Sequence, residues 1–113
     1  LNSKNAKYKN ALDRVTKVWY AQLRKRIEGY KREIAIDPSI AKNYLEIGKS
    51  YRQMEEFNLA EKWYDKYLQH DDNASADEII RYTEILAYTK HIKKGQTILK
   101  KWVERYPKDW RLW

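Results

Sequence analysis

The chain has 113 residues, 24 Lys and Arg against 16 Asp and Glu for a net charge of +8, and no Cys. The length is that of one domain, and the lack of Cys excludes disulfide frameworks, zinc–thiolate sites and thiol catalysis. Three Gly and two Pro are too few turn-formers for a sandwich or a barrel, so the fold class read from composition is all-α.

No apolar run approaches the roughly 18 residues of a membrane span. The 5 Trp, 10 Tyr and 1 Phe supply large buried area per residue, enough for a small core. The charge is uneven: residues 1–40 carry +6, residues 41–74 carry −2 and residues 75–113 carry +4. The chain opens on Leu1 without a signal peptide, which reads as a fragment or a processed chain. No compartment is assigned.

Residues 4–36 contain no Pro and one Gly, Gly29. Tyr8, Leu12, Val15, Trp19, Leu23, Ile27, Tyr30 and Ile34 recur at steps of three or four, the spacing of one helix face. One long basic helix is expected, ended by Asp37-Pro38 because the residue before Pro avoids helical geometry. A hairpin bent near Ala21-Gln22-Leu23 is the alternative. Such a helix runs about 50 Å at 1.5 Å per residue. Its first half, with Tyr8, Leu12 and Val15, should project beyond the rest of the chain and meet a partner, a second copy included.

Ser39 is the expected cap of a second helix over 40–54, with Ile40, Tyr44, Ile47 and Tyr51 inward. A third helix over 57–70 places Phe57, Ala60, Tyr64, Tyr67 and Leu68 on one face, with Trp63 beside them. Asp71-Asp72-Asn73 stops it, because short polar side chains compete for the backbone. Ser75-Ala76-Asp77-Glu78 is a capping box and opens a fourth helix, 76–89, with Ile79, Tyr82 and Leu86 inward. A fifth, 93–106, carries Ile98, Leu99, Trp102 and Tyr106 and is closed by Pro107.

Aligning these helices exposes a repeat. Tyr44, Ile47, Gly48 and Tyr51 lie on the first helix of a pair, and Ala60 and Tyr64 on the second. Gly48 and Ala60 are small where two antiparallel helices would cross, and Phe57 closes the turn. Ile79, Tyr82, Thr83 and Leu86, then Gly95 and Leu99, take the corresponding places further on. Ile92 stands for Phe57, and Pro107 ends the unit.

The pattern resembles the tetratricopeptide repeat (TPR) family. The resemblance implies antiparallel hairpins stacked as a short α-solenoid behind the long N-terminal helix. The divisions are 1–38, the long helix or a degenerate repeat; 39–74 and 75–109, two repeats; and 110–113, the start of a further repeat. Arg14 and Arg26 occupy the upstream small-residue positions, which favours the long helix over a third repeat. Trp113 follows Pro107 as Tyr44 follows Pro38, so an array cut at this point is expected. A missing neighbour would leave Ile98, Trp102 and Tyr106 partly uncovered, and self-association through that C-terminal face is expected.

The function implied is non-enzymatic: a scaffold module that binds a protein or peptide, acidic by charge, on the concave face of its repeats. Carried over residue by residue, that face holds Lys42, Leu45, Lys49, Arg52 and Gln53, then Ile80, Arg81, Glu84, Ala87 and Tyr88. Lys42, Lys49 and Arg52 form a cationic row suited to charge-assisted bonds. Glu46 and Glu84 fall among the positions of the family's carboxylate clamp, so a chaperone-tail ligand is not implied.

No catalytic residue, metal ligand or cofactor is read from the sequence. His70 and His91 are far apart, and no phosphate-binding loop or nucleophile elbow occurs. The alternative is a nucleic-acid-associated scaffold of the half-TPR kind, using basic and aromatic surfaces. Against it, Trp102 and Trp113 fall where the repeat needs core residues.

Overall fold

The structure is a computed structural model that describes residues 2–71 and 73–109. Its helices are α1 (Asn2–Ile36), α2 (Ala41–Gln53), α3 (Phe57–His70), α4 (Ala76–Tyr88) and α5 (Ile92–Arg105). There is no strand among the described residues. Each helix packs on the next in chain order. Trp110–Trp113, with the expected start of another repeat, lie outside the described residues.

The helix ends follow local chemistry. At the end of α1, the Asp37 carboxylate accepts from the Ser39 amide at 3.0 Å and from the Ser39 hydroxyl at 2.6 Å. The two bonds hold the Asp37 carboxyl below its ordinary range, the hydroxyl contributing most. That engagement displaces the expected cap: α2 starts from Ile40 with no side-chain cap, because the Ser39 hydroxyl is turned to Asp37. Ile40 is consequently exposed rather than inward. The capping box of α4 forms as read: the Glu78 amide donates to Ser75 Oγ at 3.2 Å, and the Ser75 amide donates to Glu78 Oε2 at 3.1 Å.

Both α2 and α4 end in the same motif without a glycine. Glu55 and Lys90 adopt φ of 60° and 65°, the left-handed region. Behind Glu55, the Glu56 amide donates to Tyr51 O and the Glu55 amide to Arg52 O, both at 2.9 Å. Behind Lys90, the His91 amide donates to Leu86 O at 2.8 Å and the Lys90 amide to Ala87 O at 3.2 Å. These pairs are Schellman closures, which satisfy the carbonyls that a helix end leaves over.

α1 is continuous through Ala21, Gln22 and Leu23, so the bent alternative is not adopted. Its 35 residues run about 52 Å, close to the longest dimension of the molecule, 55 Å. Its apolar face is covered only in the second half. Leu23 and Ile27 are fully buried, and Tyr30 and Ile34 pack against the core, whereas Tyr8, Leu12, Val15 and Trp19 are exposed.

The other four helices form two hairpins, α2–α3 and α4–α5, whose short connections over 54–56 and 89–91 require antiparallel packing. The second hairpin repeats the first at an offset of 35 residues in every helix boundary. Tyr44, Ile47, Ala60, Tyr64, Ile79, Tyr82 and Leu86 are buried as expected, while Tyr51, Phe57 and Leu99 are half-buried.

Gly48 sits where the first hairpin is tightest: a Cβ there would lie 2.7 Å from Tyr64 Cδ2 and 3.4 Å from the Tyr64 amide nitrogen. Tyr64 is itself 1% exposed and has no room to retreat.

Two expectations fail at the second hairpin. Ile92 is exposed and closes nothing; the aromatic stack at this level is Phe57 on Tyr88, ring centroids 4.1 Å apart. Trp102 is 3% exposed, not an uncovered residue. It stacks on Tyr106 at 6.0 Å, with the Arg105 guanidinium 4.9 Å from its ring centroid. Tyr106 in turn donates to Ala74 O at 2.8 Å, and Ile98 and Tyr106 are half-buried.

Candidate functional site

α2 and α4, the first helices of the two hairpins, meet through an ion pair. Arg52 of α2 and Glu84 of α4 are 3.6 Å apart and tie the two helices together. Lys42, at the opposite end of α2 from Arg52, and Gln53 are exposed, and Arg81, Ala87 and Tyr88 are exposed on α4, with Ile80 half-buried. Tyr88 is held flat on Phe57, which keeps its ring presented although it is 67% exposed.

The cationic row is partly self-neutralised. Lys49 lies 3.6 Å from Glu46 one turn back, and Arg52 is engaged by Glu84. Lys42 and Arg81 form no ion pair among the described residues, so they are the cations available to a ligand. Leu45 is not an apolar contact on this face: it is 5% exposed and belongs to the core. α2 packs against α1 on one flank and α3 on another, leaving only Lys42 and Gln53 fully exposed along it.

Under this face the Tyr64 hydroxyl is buried without a hydrogen-bond partner. Burial pushes its pKa up to about 12, against the opposing pull of Arg52 and Arg81. The amide nitrogen of buried Asn43 on α2 also has no partner.

A second polar cluster escaped sequence reasoning. Between α3 and the start of α5, Lys94 Nζ donates to Glu61 Oε2 at 2.9 Å and to Asp65 Oδ2 at 2.8 Å. Thr89 Oγ1 donates to Glu61 Oε1 at 2.6 Å, and His91 Nδ1 lies 2.7 Å from the same oxygen. The Tyr82 hydroxyl donates to Asp65.

Burial works against ionising Glu61, but the bonds from Thr89, Lys94 and His91 outweigh it and hold the carboxyl below its ordinary range. Burial likewise opposes the charge on Lys94, and its bonds to Asp65 and Glu61 outweigh that and raise its pKa. A similar knot joins α3 to α4, where Tyr67 donates to Glu78 at 2.5 Å and to Asp71 at 3.0 Å. Burial first, then those acceptors, push the Tyr67 hydroxyl well above its ordinary range. In sequence the partners of the Glu61–Asp65–Lys94 cluster are 17 to 33 residues apart and no local pattern marks them.

Among the described residues no group of three or more His, Cys, Asp or Glu side chains is placed to hold a metal ion, and no helix is long and apolar enough to cross a membrane. No protein-family model matches the chain, and no curated protein matches it.

Proposed function

We propose that this chain is a protein-interaction module of tetratricopeptide type, binding an acidic peptide segment across the face shared by α2 and α4. One observation carries this most directly: two helical hairpins repeat at 35 residues with a glycine pressed against a tyrosine in the first. That is the packing logic of stacked helical repeats, whose extended faces serve as binding surfaces.

On the shared face Lys42 and Arg81 offer charge to carboxylates, and Tyr88, fixed on Phe57, offers an apolar plate. Arg52 is held by Glu84 and is released to a ligand carboxylate only if that pair opens. Of the rings the nucleic-acid alternative would use, Trp63 and Trp102 are 9% and 3% exposed, whereas Tyr8, Trp19 and Tyr88 are open to solvent.

Peptide display against the chain tests the proposal. Acidic sequences should be enriched, and Lys42→Glu with Arg81→Glu should weaken the selected peptides by about tenfold or more. Selected peptides indifferent to both substitutions would place the binding elsewhere. A single-stranded oligonucleotide bound with steep loss on added salt would instead favour the nucleic-acid alternative.

A further inference from the structure

Much of the exposed apolar surface of this chain lies on one helix. Tyr8, Leu12, Val15, Val18 and Trp19, all on the first half of α1, are between 46% and 72% exposed. Leu23 and Ile27, next along the same helix face, are 1% and 2% exposed. The covered and bare parts are one face, packed where α1 meets the rest of the chain and open beyond it.

The bare part has the geometry of a helix-pairing seam. Tyr8, Leu12, Val15 and Trp19 follow steps of four, three and four, the alternation of coiled-coil contact positions. Arg14, Val15, Val18, Trp19 and Gln22 outline a shallow hollow on it. Further along α1 the same face already packs on a helix, α2, so the bare part continues a helix-packing surface.

Charge selects among helical occupants. Between residues 4 and 19 stand five cations, Lys4, Lys7, Lys9, Arg14 and Lys17, against one acid, Asp13. A second copy of α1 would bring two such cationic stretches together. An acidic helix meets both the seam and its flanks.

We propose that the first half of α1 docks an amphipathic helix of another protein with acidic flanks, extending the face on which the C-terminal half of α1 already packs. This surface is separate from the α2–α4 face, and its test does not depend on peptide binding there.

The test uses the whole chain and two fluorescent helical peptides of about 20 residues, long enough to hold a helix. Both have Leu at the seam positions; one has Glu on the flanks and the other Lys. The Glu peptide should bind about tenfold or more tighter, and raising salt from about 50 to about 500 mM should erode that preference. Leu12→Glu with Val15→Glu should abolish binding, both sites being exposed and the fold intact by circular dichroism. Lys4→Glu with Lys9→Glu should shift preference toward the Lys peptide.

Equal affinity for the two peptides overturns the proposal. So does binding to phosphatidylserine vesicles with neither peptide bound, or a dimer in sedimentation that Leu12→Glu dissolves.

Discussion

The two hairpins share one spacing and differ in how closely their helices meet. In α2–α3 the small residue on the first helix is Gly48, with Tyr64 against it at a distance no Cβ tolerates. In α4–α5 the corresponding place holds Thr83, half-buried and donating to its own helix at Ile80 O, 2.7 Å away. The glycine of that hairpin, Gly95, is on the second helix, and a Cβ there would sit 3.7 Å from Leu86, an ordinary contact. α3 buries Ala60, Trp63, Tyr64 and Tyr67, whereas α5 buries only Gly95 and Trp102. A small residue in a repeat position thus marks a close crossing only when a large, immobile side chain faces it.

The sharpest way to break this comparison is at Gly48. Gly48→Leu should cost on the order of 3 kcal/mol or more, because overpacking a filled core forces its neighbours off their rotamers. Urea melts should show the midpoint falling steeply. Gly48→Ala should still destabilise, by about 1–3 kcal/mol, since the Tyr64 ring has nowhere to go. An unchanged midpoint for Gly48→Ala would mean that the first hairpin is no tighter than the second.

Next in size is the polar clamp that ties α5 back to α3. Glu61 has its pKa lowered from 4.5 in the folded chain, so its contribution is present above that value and is lost as pH falls through the folded one. Lys94 is raised from 10.5, so its contribution is present below that value and is lost as pH rises through the folded one. These two groups should leave stability unchanged between these limits and lower it on both sides. Glu61→Gln should cost about 1–3 kcal/mol at neutral pH, the scale of hydrogen bonds to a charged group, and flatten the acid limb. Urea melts across the pH range read both.

Smaller gains should come from glycine at three places. Gly95→Ala should stabilise by about 0.5–1 kcal/mol, since Ala prefers helix and its methyl fits. Glu55→Gly and Lys90→Gly should each stabilise by about 1 kcal/mol, relieving a left-handed backbone that side chains resist. Thermal melts of the three single variants would show all shifts upward. The smallest effect is expected on the arm: Leu12→Glu should change stability by no more than about 0.5 kcal/mol, in contrast to Leu23→Ala on the same stripe at about 2–5 kcal/mol.

Much of this was readable along the chain. Pro38, Asp71 and Pro107 stop helices for reasons confined to a few residues, and the Ser75–Glu78 box is a four-residue device. The stripe from Tyr8 to Ile34 marked one face of α1, and the length of a helix implied that part of it would project. The Schellman closures were not readable, because Glu and Lys stand where glycine usually announces them. Ser39 was misread because its hydroxyl had two partners to choose from, and Asp37 is the nearer.

On the candidate face, sequence placed Lys42, Arg81 and Tyr88 at the surface, where they are. It also placed Leu45 there, whereas α2 packs against both α1 and α3 and Leu45 is buried.

By itself, then, the sequence determined which segments are helices, where they end and most of the residues that face inward, because those follow from local sterics, capping and periodicity. Tertiary structure alone decided how close each crossing is, which cations of the row are already paired, and that Glu61, Asp65, Thr89, His91 and Lys94 meet. Those outcomes depend on distances between segments tens of residues apart, and no local rule carries that information.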